Sequence, residues 1–245
     1  MFNDWGRQKQ IEMLDLWKTH FSHHLSGFEL FTSPLRESAS AVVVGYNAGG
    51  GDRDATELNS YMTRFMAENP DFGLPDRGHY EEGGRNYIVA NKIRRYFFEG
   101  KRHLLPDAIE TNRYFLRTEG KSHHKDVVGS VSKEAQAEYR QFCRETIRNL
   151  IIRSSPSVVL DFSGKYTASE FCEDLRFKYN CVDIHQHQDG KDFLAEVSIA
   201  KITEEPASAV ISVKPHPSHP WLSDEHLEFF RNTVPLYLPE DSNSH

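Results

Sequence analysis

Apolar residues along the chain occur in short runs and in longer stretches with helical spacing. The runs at residues 41–45, 158–160 and 209–213 are short and rich in valine, isoleucine and leucine, which predicts strands that are buried on both faces. Residues 108–116 predict a further strand, and residues 181–202 are ambiguous and could contain two more short ones. Strands of this composition indicate a parallel sheet, because helices cover both of its faces.

Apolar residues three or four positions apart predict helices between these strands. The clearest helix covers residues 133–154 and ends before Pro156, and a final helix begins after Ser223, a good N-cap. The other predicted helices are defined by Ile11, Leu14, Trp17 and Phe21; by Leu58, Met62 and Phe65; by Ala90, Ile93 and Phe97; and by Phe171 and Leu175.

The alternation of strands and helices predicts the fold class. We expect an α/β protein, a three-layer α/β/α sandwich around a mostly parallel sheet. One domain would span residues 1–245, with its core at about 38–235 and a disordered tail at 240–245. Residues 69–84 predict a long loop, and the polar residues 118–132 predict a mobile segment.

Composition limits the classes of protein that this chain can be. Its 245 residues are 38% hydrophobic, and no apolar run approaches the ~20 residues that cross a bilayer. The first residues lack the pattern of a secretory signal, so we expect a cytoplasmic protein without a membrane partner, and a monomer. The net charge of −7 disfavours nucleic acid, but lysines and arginines cluster at residues 92–103 and 113–125.

Cysteines and histidines give little support for a metal or disulfide site. Cys143, Cys172 and Cys181 form no Cys-x-x-Cys pair, which argues against an iron–sulfur cluster, and we expect all three to be buried. His185 and His187 would share one side of a strand, but no third ligand follows at a recognisable spacing. We therefore predict no metal ligands.

Two loops that follow buried strands contain most of the polar side chains suited to chemistry. Residues 45–54 are glycine-rich, and residues 214–222 follow the last predicted core strand. Because ligands bind outside the carboxyl ends of parallel strands, both loops can meet at one pocket. The first loop is no Walker A motif, since Gly51 and Asp52 stand where Lys and Ser or Thr are needed.

The same loops carry a family resemblance. Gly-Tyr-Asn-Ala-Gly at residues 45–49, followed much later by His-Pro-Ser at residues 216–218, resembles the two motifs of the uracil-DNA glycosylase superfamily. The resemblance covers about residues 38–222. It implies an enzyme that hydrolyses the N-glycosidic bond of a flipped base in DNA and leaves an abasic site. The reaction that the resemblance implies requires no metal and no organic cofactor.

The resemblance assigns catalytic roles to particular residues. Asn47 matches the residue that positions the attacking water, and His216 matches the one that stabilises the departing base. An amide cannot act as a base, so Asp52 or Asp54 could take the proton or stabilise the sugar cation, although Asp54 could equally cap a helix.

Further residues are candidates for contacts with the base and with DNA. Asn112 matches an Asn that reads the pyrimidine edge in several family members, with a turn-forming Asn as the alternative. Tyr46 or Tyr61 could stack on the base. Trp221 has the size to enter the duplex after base flipping, with core packing as the alternative. The remaining candidates for DNA contacts are Ser218, Lys214 and Arg113.

Departures from the family leave the substrate and two rival functions open. Ala48 replaces the family's proline, and residues 69–103 form an insertion, which favours a bulkier or modified pyrimidine, including the modified bases of phage DNA. One rival is a DNA-binding module on the same fold without catalysis. The other is a hydrolase of nucleotides or nucleosides.

Overall fold

The computed structural model describes residues 2–49, 74–81, 88–189, 193–217, 219 and 222–240. Within these residues, six strands form one sheet in the order β2-β1-β3-β6-β5-β4. Their bounds are β1 Ala41–Asn47, β2 Ile109–Tyr114, β3 Val158–Asp161, β4 Tyr179–Asp189, β5 Phe193–Ile202 and β6 Ala209–Lys214. The predicted helix around residues 58–65 lies outside the described residues, as does most of the predicted tail.

The central strands are parallel, as the sequence predicts. β1 pairs in parallel with β2 on one side and with β3 on the other, and β3 pairs in parallel with β6. Val42, Val43 and Val44 of β1 are all fully buried, because each face of the sheet packs on helices. β5 runs antiparallel to both β6 and β4, so the sheet is mixed at that edge.

Helices cover both faces and give a three-layer arrangement. On one face, α1, α3, α4 and α5 pack on side chains such as Val42 and Val159. On the other face, α2, the turn that continues it and α6 pack on Val43 and Leu160. The helix bounds are α1 Phe2–Leu16, α2 Ile88–Lys92, α3 Lys121–Gly129, α4 Lys133–Ser154, α5 Ala168–Asp174 and α6 Asp224–Thr233. Shorter turns cover Trp17–Phe21, Ile93–Phe97, Arg102–Asp107 and Val234–Tyr237.

Several helix predictions are confirmed. α4 has the predicted bounds. The apolar residues with helical spacing that predict it form a buried stripe of Tyr139, Cys143, Ile147 and Leu150. The hydroxyl of Ser223 accepts a hydrogen bond from the backbone N–H of His226 and so caps α6. The capping satisfies a donor that the first helical turn leaves without a partner.

Other predictions are wrong. The segment 118–132, expected to be mobile, contains α3, whose buried side includes His124, Val127 and Val128. Ile11 is 40% exposed, since Met13 and Leu14 take the buried side of α1. Cys181 is exposed on the edge strand β4, while the other two cysteines are buried as predicted.

The ambiguous region 181–202 folds into two antiparallel strands of 11 and 10 residues, longer than the sequence indicated.

Within the described part of the chain, no helix combines the length and the apolar character needed to cross a membrane.

Candidate functional site

A cavity of about 1030 Å³, here called the main cavity, lies at the carboxyl ends of the parallel strands. Asn47 ends β1, Asn112 lies in β2, Gly164 follows β3 and His216 follows β6, and all four line this cavity. The two loops that the sequence singled out therefore meet at one site. Such a place is where open α/β sheets bind ligands.

Hydrogen bonds fix the side-chain amide of Asn47. Its Nδ2 donates to the carbonyl oxygens of Ala48 and Thr118, at 2.9 and 3.0 Å, and also lies 2.9 Å from the hydroxyl oxygen of Thr118. A carbonyl oxygen can accept a hydrogen bond from the NH₂ group of an amide but not from the amide oxygen. The two carbonyl groups therefore determine which way the Asn47 amide points. Its Oδ1 is consequently the atom suited to accept a hydrogen bond from a ligand or a water.

Asn112 lies beside Asn47 because of the register of the sheet. Gly45 of β1 pairs with Asn112 of β2, and a Cβ atom on Gly45 would lie 2.5 Å from the Asn112 Oδ1. The absence of a side chain at residue 45 thus makes room for the amide of Asn112 at the cavity wall. An amide can both donate and accept there, as recognition of a nucleobase edge requires.

A close approach of two loops positions His216. Gly164 has a φ of +61°, and a Cβ atom on it would lie 2.4 Å from the backbone nitrogen of His216. Burial lowers the pKa of His216 to about 4, with smaller contributions from the positive charge of Lys121 and from His219. The imidazole is therefore neutral at pH 7, and a neutral imidazole has one N–H donor and one acceptor.

Charged residues that the sequence analysis missed also line the main cavity. Glu29 forms an ion pair of 3.2 Å with Arg117, and both residues are mostly buried. Glu119 supplies a second, exposed carboxylate. Glu29 precedes the first strand, in a segment without a recognisable motif, and lies 88 residues before its partner Arg117.

A buried carboxyl group holds one wall of the main cavity. Glu110 of β2 accepts hydrogen bonds of 2.7 Å from the backbone N–H groups of His79 and Tyr80, both of which line the cavity. Burial raises the pKa of Glu110 to about 8, against the lowering effect of these two hydrogen bonds. The group thus anchors the segment 74–81 to the sheet.

Tyr46 lies at the main cavity, as predicted for a base-stacking residue, but it is also a shared wall. Its ring contacts those of Tyr114 and His124, with centroids 5.3 and 5.7 Å apart, and the Lys121 ammonium lies 4.9 Å from its centroid. Tyr46 lines both the main cavity and a second, smaller pocket. Tyr46 therefore belongs to the walls of two neighbouring sites.

The structure contradicts the predicted DNA contact of Arg113, whereas that of Lys214 stays a prediction. Arg113 is only 2% exposed, and its guanidinium pairs with Asp174 inside the protein. Lys214 lies outside the lining of the main cavity and near the carboxylates of Glu170 and Glu196, at 3.6 and 3.7 Å. Both cations thus lie near carboxylates of this chain, and for Arg113 the burial leaves no surface for a DNA contact.

Five other candidates lie outside the residues that the structure describes: Asp52, Asp54, Tyr61, Ser218 and Trp221.

Among the residues that are described, no group of three or more histidine, cysteine, aspartate or glutamate side chains is arranged to hold a metal ion.

No protein-family model matches the chain, and no curated protein sequence matches it at a significant level.

Proposed function

We propose that this protein is a DNA glycosylase that hydrolyses the N-glycosidic bond of a flipped pyrimidine-type base. One observation carries the proposal: Asn47, at the end of β1, and His216, after β6, line the same cavity. The resemblance to uracil-DNA glycosylases assigns these two residues to opposite sides of the reacting bond. Their meeting at one cavity supports that assignment.

In the proposed reaction, Asn47 orients the attacking water. The Nδ2 of Asn47 is held by Ala48 and Thr118, so its Oδ1 accepts a hydrogen bond from the water and directs a lone pair to the sugar carbon C1′. As the oxygen of water bonds to C1′, the electrons of the C1′–N bond move to the base. The water proton passes to a nearby carboxylate or to the departing base.

His216 would stabilise the negative charge that develops on the base. Its pKa of about 4 keeps the imidazole neutral at pH 7, so it donates a hydrogen bond without a proton transfer before the bond breaks. A donor held in place by the fold stabilises developing charge at little reorganisation cost. Gly164 supplies this rigidity, because its close approach sets the backbone of His216.

The size and lining of the main cavity favour a base larger than uracil. Its volume of about 1030 Å³ is at the upper end of the range for small-molecule sites, roughly 300–1000 Å³. We assign the reading of the base edge to the amide of Asn112, which lines this cavity. Modified pyrimidines, including those of phage DNA, are therefore the substrates we favour.

The test is mass spectrometry of the bases released from DNA that contains uracil or modified pyrimidines, including phage genomic DNA. We expect His216→Ala to reduce the release rate by about 100- to 1000-fold, as the loss of one oxyanion-type donor does. His103→Ala is a matched control, because this exposed histidine precedes β2. It therefore lies at the amino ends of the parallel strands, whereas the main cavity lies at their carboxyl ends.

Three outcomes would refute the proposal. Unchanged release by His216→Ala would remove this residue from the reaction. Binding of DNA without abasic sites across the whole panel would indicate a module that has lost catalysis. Release of bases from nucleosides but not from DNA would indicate a small-molecule hydrolase.

A further inference from the structure

A second pocket shares Tyr46 with the main cavity. It has a volume of about 380 Å³ and is here called the basic pocket. The ends of β1 and β2 form part of it, residues of α3, α4 and α5 form most of the rest, and Lys165 and Tyr166 come from the loop between β3 and α5. None of the proposed catalytic steps uses this pocket.

The charge of the basic pocket is strongly one-sided. Among the described residues that line it, five side chains are cationic and one is a carboxylate. Arg140, Lys125 and Lys165 are exposed, and none of the three pairs with a described carboxylate. The cationic residues are Arg113, Lys125, Arg140, Arg144 and Lys165, and the carboxylate is Asp174.

The guanidinium group of Arg113 donates hydrogen bonds through only some of its nitrogen atoms among the described residues. One nitrogen, Nη2, pairs with Asp174, whereas Nη1 is buried and makes no hydrogen bond to any described residue. Because this nitrogen has almost no accessible surface, Arg113 adds positive charge to the pocket, and its guanidinium packs on the ring of Tyr166, 4.2 Å from the centroid. Nearby Asp161 interacts with Arg113 electrostatically, and burial raises the pKa of this carboxyl group, which opposes its negative charge.

The remaining wall is aromatic. Tyr46, Tyr114, Tyr166 and His124 line the pocket, and the rings of Tyr114 and His124 lie 4.5 Å apart. Burial, with help from the positive charges of Arg140 and Lys165, lowers the pKa of His124 to about 4. This ring is therefore neutral at pH 7 and adds no charge to the pocket. The half-buried rings of Tyr114 and Tyr166 supply the aromatic surface that a ligand can contact.

We propose that the basic pocket binds a nucleoside monophosphate, with its phosphate on the arginines and its base on the aromatic wall. Guanidinium groups match phosphate oxygens in pairs, which makes arginine the preferred residue for this anion. Aromatic side chains stack on nucleobases of any sequence. The volume of about 380 Å³ lies in the range of sites for one small molecule.

The test is calorimetric titration of the full chain with AMP, adenosine, ribose 5-phosphate and inorganic phosphate. We expect AMP to bind at least about tenfold more tightly than adenosine or ribose 5-phosphate, because each lacks one half of the recognised ligand. A 5′-phosphorylated oligonucleotide serves as a further arm, since a strand end offers the same chemistry as a free nucleotide.

Variants then locate the binding. Arg140→Ala and Lys165→Ala change exposed side chains, and each should weaken AMP binding by about tenfold. Lys133→Ala is the control, because Lys133 lies on the same helix as Arg140 but outside the pocket, and it should leave the AMP affinity unchanged. Asn112→Ala alters the main cavity and should leave AMP affinity unchanged. If only Asn112→Ala weakens AMP, the nucleotide occupies the main cavity and the proposal fails.

Two further results would also overturn it. Equal affinities for AMP and inorganic phosphate would remove the aromatic wall from recognition. Absence of AMP binding at millimolar concentration, in protein shown to be folded by circular dichroism, would remove the site itself. Base release from DNA is measured separately, so either result leaves the proposed glycosylase activity to its own test.

Discussion

The buried carboxyl group of Glu110 makes the stability of the fold depend on pH, and Glu110→Gln should remove this dependence. Burial raises its pKa from the ordinary value of 4.5 to about 8. Between these values the folded protein holds a proton that the unfolded chain releases. The stabilisation is therefore complete below pH 4.5 and is lost as the pH rises toward 8.

The magnitude follows from the size of the pKa change. Each pKa unit corresponds to about 1.4 kcal/mol, so the total loss due to Glu110 is about 5 kcal/mol. His124 and His216 act in the opposite direction, because their lowered pKa values of about 4 make stability rise with pH up to about 6.5. Between pH 6.5 and 8.5, Glu110 changes the free energy of unfolding more than the two histidines do. Its contribution to that free energy falls by about 2 kcal/mol over this range.

The assay is urea unfolding at pH 6.5, 7.5 and 8.5 and constant ionic strength. The wild-type free energy of unfolding should fall by about 2 kcal/mol across this range relative to that of Glu110→Gln. The variant carries a constant penalty of about 1–3 kcal/mol, because glutamine cannot accept from both backbone N–H groups. Glu37→Gln, at an exposed position, should keep the wild-type slope. Parallel wild-type and Glu110→Gln curves would refute the reasoning.

Three other predictions concern single side chains. Gly164→Ala should abolish base release while circular dichroism shows an intact fold, because the added Cβ would lie 2.4 Å from the backbone nitrogen of His216. NMR titration should show that neither His216 nor His124 protonates between pH 5.5 and 8, and a midpoint near 6.5 for either would contradict their burial. Tyr139→Phe should lower the free energy of unfolding by about 1–2 kcal/mol, since the Tyr139 oxygen accepts the backbone N–H of Leu116; an unchanged urea midpoint would exclude this contribution.

The central strands and the longest helix were predictable because their physical causes are local. Valine-rich runs specify strands buried on both faces, and the apolar stripe of α4 repeats along 22 residues. α3 was missed because His124, a polar residue, occupies a buried position of its short apolar side. Hydrophobic periodicity alone cannot recognise such a helix.

At the site, sequence order predicted which loops meet but not which charges are neutralised. Asn47 and His216 follow strands of one parallel sheet, so their convergence follows from topology. Arg113 pairs with Asp174, 61 residues further along the chain, and Arg117 pairs with Glu29, 88 residues earlier. Contacts at such separations depend on the assembled fold, and no local pattern distinguishes these arginines from exposed ones.

The position of Tyr46 between two cavities has a thermodynamic consequence. If a molecule in one cavity reoriented this ring, the surface available to a molecule in the other cavity would change, and the two occupancies would be coupled. Linkage would then make the coupling reciprocal, with the same factor acting on both affinities. One shared tyrosine would be enough for a ligand in either cavity to strengthen or weaken the binding of the other.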